Sequence, residues 1–512
     1  VLSSVYEDIV RDVVGLDDSR LLRAVPYGRV LQCFGSIWAS SEGKAEDYDM
    51  SATVGQIDHF LSHAWVTPRF KKVIALMIYY NFIPGVSVGL ICALAAFFAK
   101  VSGWLRVGDI EDVYFFVGEF SWLTVLAFFH ELFRLIRSRF EPVVFLDKVC
   151  IHQTDLELKA KGIKSLPAFL ENSHTMVILY ADAYLTRLWT IYELATYLLL
   201  QPHGHVDFLP VDVPLGLMAG LVVASFTPRS LFYQFWVVAE VVGFILFAML
   251  CRWYADMHKK MNNAFRSFDI GKANCFCEDD RIVVEGNVEA FMKHKGEVEL
   301  DASTEEAMAA FNAVVHERVP SLLKASLGRV GVPYRVAIMV DIPGIVQVFD
   351  LLWASFWTGD VLTAQTVDVA LLGVHWLMIS PCALAAGVSA ASALAHREGL
   401  PWSVVAVAAV FAVLFGVEWA LGAPLFALAF LAEHRPILAS AGLVVYVGLL
   451  VSALFCIYGM PAILCGHARV GEAGAGGNET AAEGDRRFSS TCSDVDDLEA
   501  ETGLKDGLLM SL

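Results

Sequence analysis

Three stretches of the chain combine apolar runs with side chains that could do chemistry. Ser62 and His63 close the run in IDHFLSHAW, Asp147 closes the run in PVVFLDKVCIHQTD, and Glu193 stands among apolar neighbours in TRLWTIYELATYLLL. Hydroxyl, imidazole and carboxyl groups are common catalytic groups of enzymes. If the runs are neighbouring parallel strands, their polar ends meet at one sheet edge and line a ligand pocket there. A Ser-His pair at a strand end is as often part of a turn.

Cysteine and histidine residues near these stretches raise a second interpretation, a metal site or a nucleophile. Cys150 and His152 follow the second run, and a CFC motif further along contains Cys275 and Cys277. A structural zinc site needs four ligands at a recognisable spacing, and neither group supplies them. We therefore predict no metal and no bound cofactor, and we interpret most cysteines as small buried hydrophobic residues.

The elements that must position these side chains alternate between strand and helix. Patterning predicts strands at residues 57–63, 143–146, 176–180 and about 206–210, with a helix from about Ser165 and another over TRLWTIYELATYLLL. Alternation of this kind implies a parallel sheet in which functional residues lie where strands end in loops. The predicted unit is an α/β flavodoxin-type domain.

Outside these stretches the chain is unusually apolar, with 56% hydrophobic and only 18% charged residues. Apolar windows of roughly 20 residues, the length that crosses the hydrocarbon of a bilayer, predict about eight membrane-spanning helices. These windows cover residues 73–99, 113–133, 213–226, 231–254, 336–357, 367–395, 404–421 and 437–464. The predicted fold class is thus an α-helical polytopic membrane protein that carries an interrupted α/β domain.

Charge predicts how this protein would be oriented and what it would bind. Basic residues precede and follow the first pair of spans, so both flanks are expected on the cytosolic side. We predict a multi-pass integral membrane protein with its α/β domain and both termini in the cytosol and with the lipid bilayer as a partner. The formal net charge of -18 argues against a nucleic-acid partner, because phosphates attract basic surfaces.

The predicted organisation has seven parts, which follow from the spans and from composition shifts. They are an N-terminal region (1–54), the α/β domain (55–72 and 134–212), a transmembrane hairpin (73–133), a transmembrane pair (213–254), a small cytosolic domain (255–335), a four-span bundle (336–465) and an acidic tail (466–512). The tail is rich in Gly, Ser and acidic residues, which predicts disorder.

The order and spacing of these motifs resemble those of the Toll/interleukin-1 receptor (TIR) domain. FLSHAW resembles the first TIR strand, and the stretch from VFLDKVCIHQTD to RLWTIYELATYL resembles the second strand, the following helix, the third strand and a Trp-x-x-x-Glu helix. The motif DKVCIHQTD is also similar to the related heterokaryon-incompatibility domains. The sequence departs from TIR domains where two apolar spans replace the first helix and where the loop after FLDKVC lacks glycines.

The resemblance implies a site and a substrate class. In TIR domains that cleave NAD, the glutamate of the Trp-x-x-x-Glu helix is catalytic, and WTIYE places Trp189 and Glu193 at those positions. The resemblance makes Glu193 the catalytic candidate, with Ser62, His63, Asp147 and Trp189 as ligand-binding candidates. NAD would be a substrate rather than a cofactor. The alternative is structural: Trp189 packs on the sheet and Glu193 caps the helix or pairs with a base.

Three functional hypotheses remain open from the sequence. The first is a membrane-anchored signalling or scaffold protein whose TIR-like domain self-associates or binds protein partners. The second is a TIR-type NAD hydrolase that uses Glu193. The third is a transporter or channel with a regulatory α/β domain, since charged residues in apolar spans often mark an ion or substrate path.

Overall fold

The structure is a computed structural model. It describes residues 18–102, 104, 113–136, 141–201, 204–214, 216, 229–275, 278–327, 337–338, 373–395, 404–458 and 468–469. The predicted spans at 213–226 and 336–357 lie almost entirely outside the described residues, and so does nearly all of the predicted acidic tail.

A seven-stranded mixed sheet forms the centre of the α/β part. Its strands are β1 (Arg23–Pro26), β2 (Ala52–Thr53), β3 (Ile57–His63), β4 (Val143–Phe145), β5 (Ser173–Tyr180), β6 (His205–Pro210) and β7 (Ala468–Arg469). Their order is β2-β1-β4-β3-β5-β6-β7. The pairs β3–β4, β3–β5 and β5–β6 are parallel, whereas the outer pairs are antiparallel.

The four parallel strands confirm the predicted neighbours. FLSHAW and VVFLDK lie side by side as β3 and β4, with His59 opposite Val144. Across the sheet the parallel strands lie in the order β4, β3, β5, β6. Numbered by their place in the chain, this is 2-1-3-4, the order of flavodoxin-like doubly wound sheets. Such a sheet is covered on both faces, so its strands need apolar residues on both faces.

Helices cover both faces and extend beyond the sheet. They are α1 (Tyr27–Gly35), α2 (Ala45–Tyr48), α3 (Arg69–Val101), α4 (Val113–Ile136), α5 (Asp147–Cys150), α6 (Leu156–Lys164), α7 (Leu166–Glu171), α8 (Leu188–Leu200), α9 (Arg229–Arg266), α10 (Glu278–His294), α11 (Thr304–Leu327), α12 (Ser380–Ala395), α13 (Val404–His434) and α14 (Pro436–Tyr458). A π-helical turn, His375–Ile379, precedes α12.

One face of the sheet packs against a layer that includes part of the predicted small domain. Phe60 of β3 and Ile178 of β5 share a buried core with α7, α8, the end of α9, α10 and α11. Phe265 of α9 and Phe311 of α11 are buried in that core. The segment predicted as a separate domain at 255–335 therefore contributes to the same hydrophobic core as the sheet.

The opposite face is covered by α1 and by the beginning of α3, which runs antiparallel to β3. Lys72, in the first turn of α3, lies 3.5 Å from the carbonyl of Ala64, just beyond the end of β3. Two turns later the Tyr80 hydroxyl lies 2.9 Å from His59, near the start of β3. The motif PRFKK thus begins the crossover helix, and the same helix continues into the apolar segment predicted as a span.

Length explains why the crossover becomes a hairpin. Helix α3 has 33 residues, or roughly 50 Å at about 1.5 Å per residue. Strand β3 has 7 residues, or roughly 23 Å at about 3.3 Å per residue. The remainder of α3 extends past the sheet and packs along α4, which returns the chain toward β4.

The prediction of about eight membrane spans is wrong. Within the described residues, two helices are long and apolar enough to cross a membrane, Arg69–Ala99 and Leu377–Leu394. The first turns of Arg69–Ala99 pack on the sheet, where Val73 and Leu76 are buried. The other apolar windows within the described residues lie in α4, α9, α13 and α14, which contribute buried side chains to one hydrophobic cluster together with α3 and α12. A core helix of a large protein needs the same apolar composition as a span, so composition alone overestimated the spans.

Candidate functional site

The site begins at the carboxyl end of β3. Successive side chains of a β-strand point to opposite faces of the sheet, so Ser62 and His63 lie on different faces. Ser62 is 0% exposed and points toward α8, whereas His63 is 7% exposed and points toward α3. We call Ser62, Tyr184, Thr190 and Glu193 the acid side. We call Trp38, His63, Trp65, Lys72 and Asp147 the amine side.

On the acid side, a run of oxygen atoms connects Glu193 to the start of α8. Ser62 Oγ lies 2.6 Å from Glu193 Oε2 and 2.7 Å from the Tyr184 hydroxyl. The Tyr184 hydroxyl lies 3.2 Å from the carbonyl oxygen of Thr190. The single proton of the Thr190 hydroxyl has two carbonyl acceptors within reach, Tyr184 at 2.5 Å and Arg187 at 2.9 Å, and either bond fixes the first turn of α8.

The surroundings of Glu193 favour its neutral form. Burial raises the pKa of Glu193 to about 8, against an opposing effect of the hydrogen bond with Ser62. The negative charge of Asp147 raises this pKa further. Burial also raises the pKa of the Tyr184 hydroxyl well above its usual value, with Glu193 adding to the effect. The side chain of Glu193 nevertheless keeps partial exposure to solvent.

On the amine side, Lys72 is enclosed by aromatic rings. It is 0% exposed, and its Nζ lies 4.8 Å from the ring centres of both Trp38 and Trp65. Cation–π contacts of this kind stabilise a charged amine where water is excluded. Burial lowers the pKa of Lys72 to about 8, and Asp147 opposes that shift.

His63 and Asp147 complete the amine side around the same rings. The imidazole of His63 lies 4.6 Å from the ring of Trp65, and burial, followed by the charge of Lys72, holds its pKa well below the usual value. Asp147 accepts hydrogen bonds from Trp65 Nε1 at 2.8 Å and from the Lys148 backbone N–H at 2.7 Å. Burial raises the pKa of Asp147 while these donors lower it. His63 Nε2 is buried and has no hydrogen-bond partner among the described residues.

The structure brings four of the five sequence-predicted site residues to one edge. Ser62 contacts Glu193 directly, and Trp65 contacts both His63 and Asp147. The fifth, Trp189, lies one helical turn before Glu193, is partly exposed, and packs edge-on against the ring of Tyr192 at 5.8 Å.

Sequence reasoning missed Lys72, Trp38, Trp65 and Tyr184. Lys72 was interpreted as a basic residue that flanks a span, although its place three residues into a helix after a strand end is a signal for a site. Trp65 lies within FLSHAW, so its proximity to His63 was visible. Trp38 and Tyr184 reach the site from separate loops, and no local pattern marks them.

The cysteine and histidine candidates have structural roles. Cys150 is buried near the Val144 carbonyl, and burial raises the pKa of its thiol to about 12. His152 Nδ1 accepts from the Asp155 backbone N–H at 2.9 Å. In the described part of the chain, no three His, Cys, Asp or Glu side chains gather closely enough to hold a metal ion. Cys275 is partly buried, and Cys277 lies outside the described residues.

The arrangement has a buried floor and a partly exposed rim. Ser62, His63 and Lys72 are buried, whereas Asp147 and Glu193 retain partial exposure. A neutral carboxyl group can donate a proton, and the same group can stabilise a cation once it ionises. The edge therefore has two partly exposed carboxyl groups, Asp147 and Glu193, and the buried amine of Lys72, on whose pKa Asp147 acts.

No protein-family model, curated protein or solved structure matches this chain.

Proposed function

We propose that the α/β part binds NAD and hydrolyses the bond between its nicotinamide and ribose, with Glu193 beside the reacting ribose. The observation that supports this proposal is the Glu193 carboxyl group, held 2.6 Å from Ser62 at the carboxyl end of β3 and partly open to solvent. In doubly wound sheets, ligands bind at this edge, where neighbouring crossovers leave on opposite faces. The resemblance of WTIYE to the TIR motif supplies the substrate class.

The chemistry fits a carboxyl group at this position. Cleavage of the glycosidic bond develops positive charge on the ribose, and an ionised carboxylate facing that charge stabilises the transition state. Water then adds to the ribose carbon, so that NAD and water yield nicotinamide, ADP-ribose and one proton. Asp147, also at the edge, adds negative potential toward the same cation.

The buried ionisable groups of the site favour a catalytic role over a purely structural or scaffold role, because their burial is energetically unfavourable. Burying ionisable groups is unfavourable unless they are paired or neutralised, and a surface that only binds partners does not need them. The edge nevertheless holds Glu193, Asp147 and Lys72 close together. The transporter hypothesis rested on charged residues in apolar spans, and within the described residues two helices are long and apolar enough to be such spans.

The test is nicotinamide release from NAD by the purified full-length protein. We expect turnover by the wild type and a loss on the order of 100-fold or more in Glu193→Gln, which removes the charge and keeps the size. The matched control is Glu157→Gln, the same change at a side chain that is 79% exposed on α6. Turnover that survives in Glu193→Gln would exclude Glu193 as the catalytic group, and no turnover in wild type would favour the scaffold hypothesis.

A further inference from the structure

The acid side contains three close oxygen pairs, and each needs one proton. These pairs are Glu193 with Ser62, Ser62 with Tyr184, and Tyr184 with the Thr190 carbonyl. The Thr190 oxygen is a carbonyl and can only accept. Tyr184 must therefore donate to Thr190, Ser62 to Tyr184, and Glu193 to Ser62 if all three contacts are hydrogen bonds.

An ionised Glu193 cannot complete this chain. The hydroxyls of Ser62 and Tyr184 then supply two protons for three contacts. Ser62 would have to donate to Glu193, and Tyr184 could satisfy either Ser62 or Thr190. A protonated Glu193 supplies the third proton, so the neutral carboxylic acid is the state in which all three contacts are hydrogen bonds.

We propose that Glu193 is stored as a neutral acid and that a cationic ligand, of the class of the oxidised nicotinamide ring, expels its proton on binding. The choice of ligand rests on the proposed function. The proton leaves to solvent or buffer, and no other bond changes. Ser62 then turns its proton toward the new carboxylate, and Tyr184 turns its proton from Thr190 to Ser62.

The neighbouring charges support this coupling. Among the described residues, Asp147 is the titratable group whose charge raises the pKa of Glu193, the charge of Glu193 in turn raises the pKa of Tyr184, and Ser62 is the hydrogen-bond partner of Glu193. A second negative charge beside Asp147 is unfavourable in the empty site because like charges repel. A bound cation reverses the balance by attracting both carboxylates, so binding and ionisation favour each other.

The first experiment compares two ligands that differ in one positive charge. In these binding experiments NAD and NADH stand for their carbocyclic analogues, which have no glycosidic bond, so that hydrolysis by the wild type adds no protons to the count. The NAD analogue carries a cationic nicotinamide ring, and the NADH analogue carries a neutral one on otherwise equal groups. Calorimetric titrations of the full-length protein at pH 7, in buffers with different ionisation enthalpies, count the protons released. We expect NAD to release close to one proton from wild type and none from Glu193→Gln, and NADH to release none from either.

The same coupling predicts a pH dependence. The affinity of wild type for NAD should rise about tenfold per pH unit below pH 8 and level off above it, because one proton is lost on binding. The affinity for NADH should stay flat. NAD binding with no proton released, or with equal release in Glu193→Gln, would overturn the coupling even if turnover confirmed the proposed function.

The second experiment needs no ligand. A protonated carboxylic acid has a C=O stretching band that is separate from carboxylate bands, so an infrared difference between wild type and Glu193→Gln isolates Glu193. We expect that band at pH 7 and its loss with a midpoint near pH 8. In Ser62→Ala, which removes the middle of the chain, we expect the midpoint to move.

The two experiments separate the possible failures. A missing acid band at pH 7 refutes the stored acid, whatever NAD does. An acid band together with no NAD binding refutes the coupling to that ligand and the proposed function, while the stored acid stands. An acid band and proton release without turnover would contradict only the proposed hydrolysis.

Discussion

The acid side and the amine side lie on opposite faces of β3, and burial acts on them in opposite directions. It raises the pKa of the Glu193 carboxyl group to about 8 and lowers the pKa of the Lys72 amine to about 8. Both shifts favour the neutral form, as desolvation always does. Burial on the two faces of β3 thus brings the pKa of the Glu193 carboxyl group and that of the Lys72 amine to nearly the same value.

The partners of the two groups make the difference. Glu193 has a hydroxyl partner in Ser62 and a negative neighbour in Asp147, and the hydrogen bond with Ser62 offsets only part of the effect of burial on its pKa. Lys72 has Asp147 and two tryptophan rings, which stabilise its charged form. We infer that Lys72 is charged below about pH 8 and supports the fold as a cation there, whereas Glu193 is neutral below about pH 8 and ionises above it or when a cationic ligand binds.

The largest expected effect is on the amine side. Lys72→Ala removes the larger of the two positive charges that act on Asp147, the other being Lys148, and opens a void between two tryptophans, so we expect a loss of about 3–5 kcal/mol in the free energy of unfolding. Lys71→Ala is the matched control, because Lys71 pairs with Asp212 at the surface. Such pairs contribute less than about 1 kcal/mol. Equal losses in urea unfolding of the two variants would refute a special role for Lys72.

The acid side should respond in activity rather than in stability. Glu193→Gln keeps a donor for Ser62, so at pH 7 we expect a change in unfolding free energy of under about 1 kcal/mol alongside the loss of NAD turnover. A melting temperature measured on the samples used for turnover checks this separation. A large fall in stability would place Glu193 among the structural groups.

The pH dependence of stability should separate the two sides. The folded-state pKa of Glu193 is raised, so its contribution is fully present below the pKa of the unfolded chain and is lost as pH rises toward about 8. The folded-state pKa of Lys72 is lowered, so its neutralisation adds stability between about 8 and the unfolded value. For each group, the free energy of unfolding changes by at most roughly 1.4 kcal/mol per pH unit.

The two slopes predict a minimum in stability near pH 8, measured by urea unfolding across a pH series. Glu193→Gln should remove the fall below pH 8 and leave the rise above it. A fall that persists unchanged in this variant would assign the pH dependence to other carboxyl groups.

The sequence predicted the parallel strands well because their signals are local. The run MVILY at 176–180 is continuous and apolar and became most of β5, and IDHFLSH at 57–63, which ends in polar residues, became β3. Polar residues at the strand ends located Ser62, His63 and Asp147 by the same logic. The Trp-x-x-x-Glu resemblance added Glu193.

What the sequence could not supply depends on long-range packing. Lys72 is a surface-type residue by composition, and only the approach of Trp38 from an N-terminal loop encloses it. Tyr184 joins the acid side through the fold of the loop before α8. The apolar windows were visible, but whether a window contacts lipid or another helix is decided by its neighbours, and so the number of spans was overestimated.

A further comparison of the two sides comes from two matched deletions of one hydrogen-bonding group. Trp65→Phe removes the donor to Asp147, and Tyr184→Phe removes the hydroxyl that follows Ser62 in the chain of oxygens. A hydrogen bond to a charged group contributes about 1.5–3 kcal/mol, and one between neutral groups about 0.5–1.5 kcal/mol. If Asp147 is ionised and Glu193 neutral, Trp65→Phe must cost more.

The comparison also has a pH signature. Above pH 8 Glu193 ionises and Ser62 donates to it, so Tyr184 becomes the donor to Ser62 and its hydroxyl supports a charged group. The cost of Tyr184→Phe should therefore rise between pH 7 and pH 9. Trp65→Phe serves as the reference, because Trp65 donates to Asp147 on the amine side and not to the Glu193 chain of oxygens. Denaturant unfolding of both variants at the two pH values measures the difference. A cost of Tyr184→Phe that is equal at both pH values would mean that Glu193 does not change its charge in this range.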